Sequence, residues 1–223
     1  MKKTKIKRKT EAGKEKKQAE KKKEVPAVEK QAIILIAIMV FILVTSFAFI
    51  YFYKQNKFRY EGFVFERRNF GQIIVYNTTI PIRRDGQSVI YSLFLRNDPR
   101  KLDFPVNASI RFMHNIIISF DPNISGCYAS NLAAYGLDSF LNALGLERKG
   151  ATTSKEEAAR MNYTFADCSD AIHNTVIILE AGEKTEILQD KEYKDCYKIK
   201  IANCEILKAT EKFIIETAKQ LRK

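Results

Sequence analysis

Tryptophan is absent from this 223-residue chain, and histidine occurs only twice, at His114 and His173. Two histidines and four cysteines leave few ligands for a metal site. The cysteines stand 41, 28 and 8 residues apart, without the close pairs that zinc sites use. Nine glycines and five prolines exclude collagen-like and glycine-linker architectures. No phosphate-binding loop, dinucleotide fingerprint, metalloprotease helix or calcium loop occurs. No metal and no cofactor is therefore expected. Hydrophobic residues make up 46% of the chain, enough for a packed core.

Charge of either sign is missing from one long stretch, residues 31–53. From Ala32 to Tyr53 the chain reads AIILIAIMVFILVTSFAFIYFY. As a helix these residues rise about 33 Å, enough to cross a hydrocarbon core of ~30 Å. Thr45 and Ser46, the polar residues inside, can bond back to their own helix. Tyr51 and Tyr53 stand where an aromatic belt meets the membrane surface. Ser46-Phe47-Ala48 resembles a signal-peptide cleavage site, but the apolar run continues past it and the preceding basic region is too long. The stretch reads as an uncleaved transmembrane helix.

The net charge of +12 is unevenly placed. Residues 1–30 hold thirteen Lys/Arg and five Glu, so two thirds of the excess precedes the span. This segment has too few apolar side chains to fold alone and reads as a disordered tail. By the positive-inside rule the tail is cytoplasmic and residues 54–223 are extracytoplasmic. Nothing aromatic interleaves Lys7-Arg8-Lys9 or Lys21-Lys22-Lys23, so nucleic acid is not an expected partner. The lipid bilayer is.

All four cysteines follow the span, which reads as two disulfides in an oxidising compartment. Four glycosylation sequons, at Asn77, Asn107, Asn123 and Asn162, also follow it, against about one expected by chance.

Within 54–223, strands are expected at 58–67, Gln72–Tyr76 and Val89–Arg96, with a turn at Arg83-Arg84-Asp85-Gly86. The continuous apolar runs Asn115–Phe120 and Thr175–Leu179 read as central strands. A return strand is expected at Thr185–Gln189. Cys196–Ile201 alternates, with Lys198 and Lys200 on one face, and reads as an edge strand. A helix at 128–144 has Leu132, Tyr135, Leu137, Phe140, Leu141 and Leu144 on one stripe, with Gly145 after its end. A capping box, Ser154-x-x-Glu157, opens a short helix. A last helix spans 205–221, capped by Asn203 or Cys204. The fold class is α/β: one N-terminal transmembrane helix, then an extracytoplasmic α/β domain with a mixed sheet. Residues 54–110 form its strand-rich part and 111–223 its βα-rich part.

The strand directions choose among the three possible disulfide pairings. With 115–120 running up, Cys127 lies above the sheet and Cys168 below it. Strand 196–201 runs up again, so Cys196 lies below and Cys204 above. The expected bridges are Cys127–Cys204 and Cys168–Cys196.

The loop after 115–120 offers Asp121, Asn123, Ser125 and Gly126 where α/β proteins place ligands. It lacks G-x-S-x-G, and no motif ties either histidine to it. Glu156-Glu157 with Glu147 reads as surface charge. Arg83-Arg84 and the Arg96–Arg100 turn suit an acidic glycan or another envelope protein. No catalytic residue is assigned. The expected function is a single-pass, membrane-anchored envelope protein whose outer domain binds or is structural. The alternative is a membrane-tethered hydrolase or thiol exchanger centred on Cys127. The outline is similar to that of single-span archaeal surface proteins, though no motif carries a function across.

Overall fold

The computed structural model describes residues 27–84 and 86–222. The basic tail up to residue 26, and Asp85 of the expected turn, lie outside the described residues. The chain divides into two units at Ile50–Tyr51.

The first unit holds most of helix α1, Ala27–Gln55. Its stretch Gln31–Tyr51 is long and apolar enough to cross a membrane, with mean hydropathy 3.1 and every side chain exposed. Thr45 Oγ1 donates to Phe41 O at 2.9 Å and Ser46 Oγ to Ile42 O at 2.7 Å. The hydroxyls thus satisfy themselves within the helix.

The second unit is a mixed α/β domain with two sheets. An antiparallel meander comprises β1 (Lys57–Tyr60), β2 (Phe63–Phe70), β3 (Ile73–Arg84) and β4 (Gln87–Leu95). The expected strand 58–67 is thus two strands. Glu61 and Gly62, at φ 48° and 81°, fold β1 onto β2 in a two-residue turn, a conformation that glycine adopts without steric cost. Strand β3 extends well past Tyr76 despite Pro81. The β2 ladder on β3 ends at Asn77, so the proline sits where the missing N–H breaks no β2 bond.

The second sheet has six strands, in the order β5-β9-β10-β8-β6-β7. These are β5 (Val106–Asn107), β6 (Asn115–Phe120), β7 (Glu147–Thr152), β8 (Thr175–Ala181), β9 (Glu186–Gln189) and β10 (Cys196–Ile201). Strands β10, β8, β6 and β7 are parallel, and β9 runs against β10. The apolar runs β6 and β8 are interior strands, as read. Strand β10 is interior too, between β9 and β8, which corrects its assignment to an edge. Its lysines face carboxylates that neighbouring elements supply: Lys198 Nζ lies 2.8 Å from Asp190 and Lys200 Nζ 3.5 Å from Glu186. The charged edge is instead β7, whose ERKGAT sequence carries no apolar alternation.

Three helices complete the domain: α2 (Ser130–Ala143), α3 (Lys155–Met161) and α4 (Ile206–Gln220). Helices α2 and α4 pack together between the two sheets. The Phe213 ring of α4 lies 6.2 Å from Tyr197 of β10, while Phe140 of α2 lies 5.9 Å from Tyr91 of β4. Ala133, Leu137, Phe140 and Leu141 form the buried stripe of α2. Tyr135, expected there, is 71% exposed. After Leu144 the chain leaves α2 through a Schellman turn: Gly145 N–H donates to Asn142 O and Leu146 N–H to Leu141 O. The N-cap position of α4 is Glu205, which makes no side-chain capping bond; Asn203 and Cys204, expected there, both have positive φ.

Candidate ligand cleft

The chain leaves β6 through α2 to reach β7 on one side and later returns as β8 on the other. A parallel sheet opens at such a reversal, outside the carboxyl ends of its strands. A cleft of about 450 Å³ lies there, floored by Phe120, Ile124 and Ala151 and rimmed by Ser125, Ser130, Asn131, Thr152, Glu157 and Tyr163.

The expected loop builds one wall. Asp121 accepts from Asn123 N–H at 2.9 Å and, with its other oxygen, from Ala181 N–H at 3.2 Å. Both oxygens are thus committed to holding the loop against β8. Ser125 Oγ donates to Pro122 O at 2.6 Å. Asp121 and Ser125 line the cleft, whereas Asn123 and Gly126 are exposed beyond its lining. Helix α2 then begins after Ala129, at φ 69°, with no side-chain cap on its N-terminus. Its positive dipole end favours negative or hydrogen-bond-accepting groups near Ser130 and Asn131.

The opposite wall comes from β7 and α3. Ser154 Oγ accepts from Glu157 N–H at 3.2 Å, the first half of the capping box. Glu157 does not return to the Ser154 N–H. Its Oε2 lies 3.2 Å from Thr152 Oγ1, which in turn accepts from Ser154 N–H. Tyr163 and Asn131 were not legible as site residues: polar side chains on unremarkable segments carry no spacing signal.

The remaining candidates do not converge on the cleft. His114 and His173 precede β6 and β8, at the amino ends of the parallel strands and so away from the cleft. Glu147, at the start of β7, lies 3.6 Å from His114 and is not brought to Glu157. Arg100 forms a two-bond fork with Asp98, at 3.0 and 2.6 Å, and stacks over Phe58 at 3.9 Å. That fork holds the Asp98 carboxyl below its usual range. Among the described residues no three His, Cys, Asp or Glu are grouped to hold a metal ion.

The cysteines pair as Cys127–Cys204, with Cα atoms 5.2 Å apart, and Cys168–Cys196, at 5.4 Å. These are the pairs that the strand directions dictate. The first ties the loop before α2 to the start of α4. The second closes the far face of the sheet, where Cys168 and Cys196 pack with Val176 and Ile178.

Asn107, Asn123 and Asn162 are exposed and Asn77 is half-buried. Comparison with known protein families, curated proteins and solved structures finds no match to the chain.

Proposed function

We propose that this is a single-pass membrane protein whose α1 crosses the bilayer, with the basic tail in the cytoplasm and the α/β domain outside, where the domain binds a component of the cell envelope. The observation that carries the binding assignment is the cleft at the carboxyl ends of β6 and β7, which has an apolar floor, a polar rim and the uncapped start of α2. The span rests on Gln31–Tyr51. The outside location draws support from two cysteine bridges and from sequons at three exposed asparagines and one half-buried one in the same domain. The sequons are the proposed glycosylation sites. The Lys/Ile-rich, Trp-free composition fits an archaeal surface.

A tethered enzyme draws less support. A thiol exchanger typically carries its reactive pair in a close Cys-x-x-Cys motif, whereas Cys127 is bridged to Cys204, 77 residues away. A hydrolase needs a base beside its nucleophile; both histidines lie at the other end of the strands, and the Glu157–Thr152 contact in the cleft is tied into the start of α3 through Ser154.

Gly150 supplies the test. It lines the cleft, and a Cβ built on it meets nothing within 4 Å, so Gly150→Phe adds bulk at the cleft wall without a clash at its Cβ. A panel of envelope saccharides and short acidic peptides is expected to raise the melting temperature of the wild type and not of the variant. Equal shifts in both would place binding elsewhere. Turnover of any panel member by the wild type would favour the enzyme.

A further inference from the structure

An exposed apolar patch lies at the end of the domain where the chain enters it. Asn56 O accepts from Arg67 N–H at 2.7 Å, and β1 pairs with β2 from Lys57↔Glu66 to Tyr60↔Phe63. Strand β2 therefore continues past the entry point, through Arg68 and Asn69 to Phe70, before turning into Ile73 of β3. At ~3.3 Å per residue the hairpin tip projects about 10 Å beyond Asn56. Phe70, Ile73 and Ile74 at this tip are 57%, 40% and 38% exposed. The tip does not stand alone. Ile73 and Ile74 share one groove with Tyr128 and Leu132, and Phe70 shares the adjoining groove with Leu132 and Tyr135. Tyr128 is 94% exposed and Tyr135 71%.

We infer that this patch docks on the surface of the same bilayer that α1 crosses, so that the domain is held to the membrane at a second point. The inference rests on the reading of α1 as a span. The uncharged stretch ends at Tyr53, three residues before Asn56, and three residues rise at most about 10 Å even when extended. A headgroup layer is roughly 5–8 Å deep on each side of the hydrocarbon. A tip that extends about 10 Å beyond Asn56, on a domain tethered this closely to the span, is long enough to reach that layer. The composition fits the same depth. Phenylalanine and isoleucine enter the acyl boundary, and tyrosines at the patch edge keep their hydroxyls among the headgroups. Exposed Arg67 beside the tip and Arg96 in the groove suit anionic lipid, while Arg68 is matched by Glu66 at 2.8 Å. The candidate cleft shares Ser125, Ser130 and Asn131 with this groove, so docking sets the cleft beside the headgroups.

The chain has no tryptophan, so a single introduced indole reports its own surroundings. Phe70→Trp and Tyr128→Trp place it in the patch at exposed positions. Ile90→Trp is the control: Ile90 is 72% exposed and pairs with Pro81, five positions along β4 from the Leu95↔Tyr76 pair. Each full-length variant is reconstituted into vesicles of mixed zwitterionic and anionic lipid and recovered by flotation. In floated vesicles the Phe70→Trp and Tyr128→Trp emissions are expected to shift to the blue. Bromine near the head of the acyl chain should quench them more strongly than bromine near its methyl end, and Ile90→Trp should stay unquenched. Floated protein with unquenched, water-like emission from both patch positions would overturn docking and leave the span standing. A blue shift without quenching would mean that protein, such as a second copy, covers the patch, and would overturn the lipid assignment. Failure to float would overturn span and docking together.

Discussion

Glu211 of α4 and Asn97, just past β4, are bonded twice: the Glu211 carboxylate accepts from the Asn97 backbone N–H at 3.1 Å and from its side-chain amide at 2.9 Å. A third bond comes from Arg96 N–H at 2.6 Å. One buried carboxylate thus fastens the end of the antiparallel meander to the central helix. Burial pushes its pKa up from 4.5 to about 7, against the pull of these donors.

The sign of the resulting pH dependence follows. A folded-state value above the unfolded one means that the fold holds an extra proton between about pH 4.5 and 7. The stabilisation is complete below that window and is lost as pH rises through about 7. Urea unfolding should find the wild type more stable at pH 5 than at pH 8, with a contribution from Glu211 on the order of 3 kcal/mol. Glu211→Gln should lack that slope. At pH 5, where the Glu211 carboxyl is itself protonated, the substitution should change stability by less than about 1 kcal/mol, because each neutral group offers one acceptor oxygen and one donor to the same N–H groups. Parallel pH profiles for the two proteins would contradict the assignment.

The face of α2 is tested by a pair of substitutions. Leu137 is fully buried against the second core layer, and Leu137→Ala should cost about 2–5 kcal/mol. Tyr135 lies on the same helix but is 71% exposed, and Tyr135→Ala should stay within ~0.5 kcal/mol. Thermal melts of the two variants would contradict the packing if their order reversed.

These two residues mark the limit of what the sequence makes legible. The α2 period is plain from spacing, but Tyr135 sits at the margin of the stripe, and only the opposing layer decides which side it meets. Strands β6 and β8 are recognisable as interior because runs buried on both faces have no polar alternation. Strand β10 misleads because alternating lysine is also what a protected edge looks like. The carboxylates that neutralise Lys198 and Lys200 come from Asp190 and Glu186, outside the strand itself. Strand β7 leaves almost no trace, since an edge strand of charged and small residues has nothing periodic to show. Of the cleft, the Asp121–Ser125 wall follows from its position after a central strand. The Thr152–Glu157 wall depends on β7 and was out of reach with it.

The bridges give a third prediction. They close loops of 77 and 28 residues. The chain-entropy estimate is about 4.5 kcal/mol for Cys127–Cys204 and about 3.5 for Cys168–Cys196, both upper values. The double variants Cys127→Ala/Cys204→Ala and Cys168→Ala/Cys196→Ala should each lower the denaturation midpoint. Peptide mapping without reductant should recover these two linkages. A peptide joining Cys196 to Cys204 would contradict the parallel course of β6, β8 and β10.

The most direct measurement of the central claim is the topology of the full-length protein in intact cells. Protease added from outside should digest residues 54–223 and spare a short basic fragment that remains with the membrane and carries residues 1–30. Survival of the whole domain in intact cells, with digestion only after the membrane is permeabilised, would contradict the account.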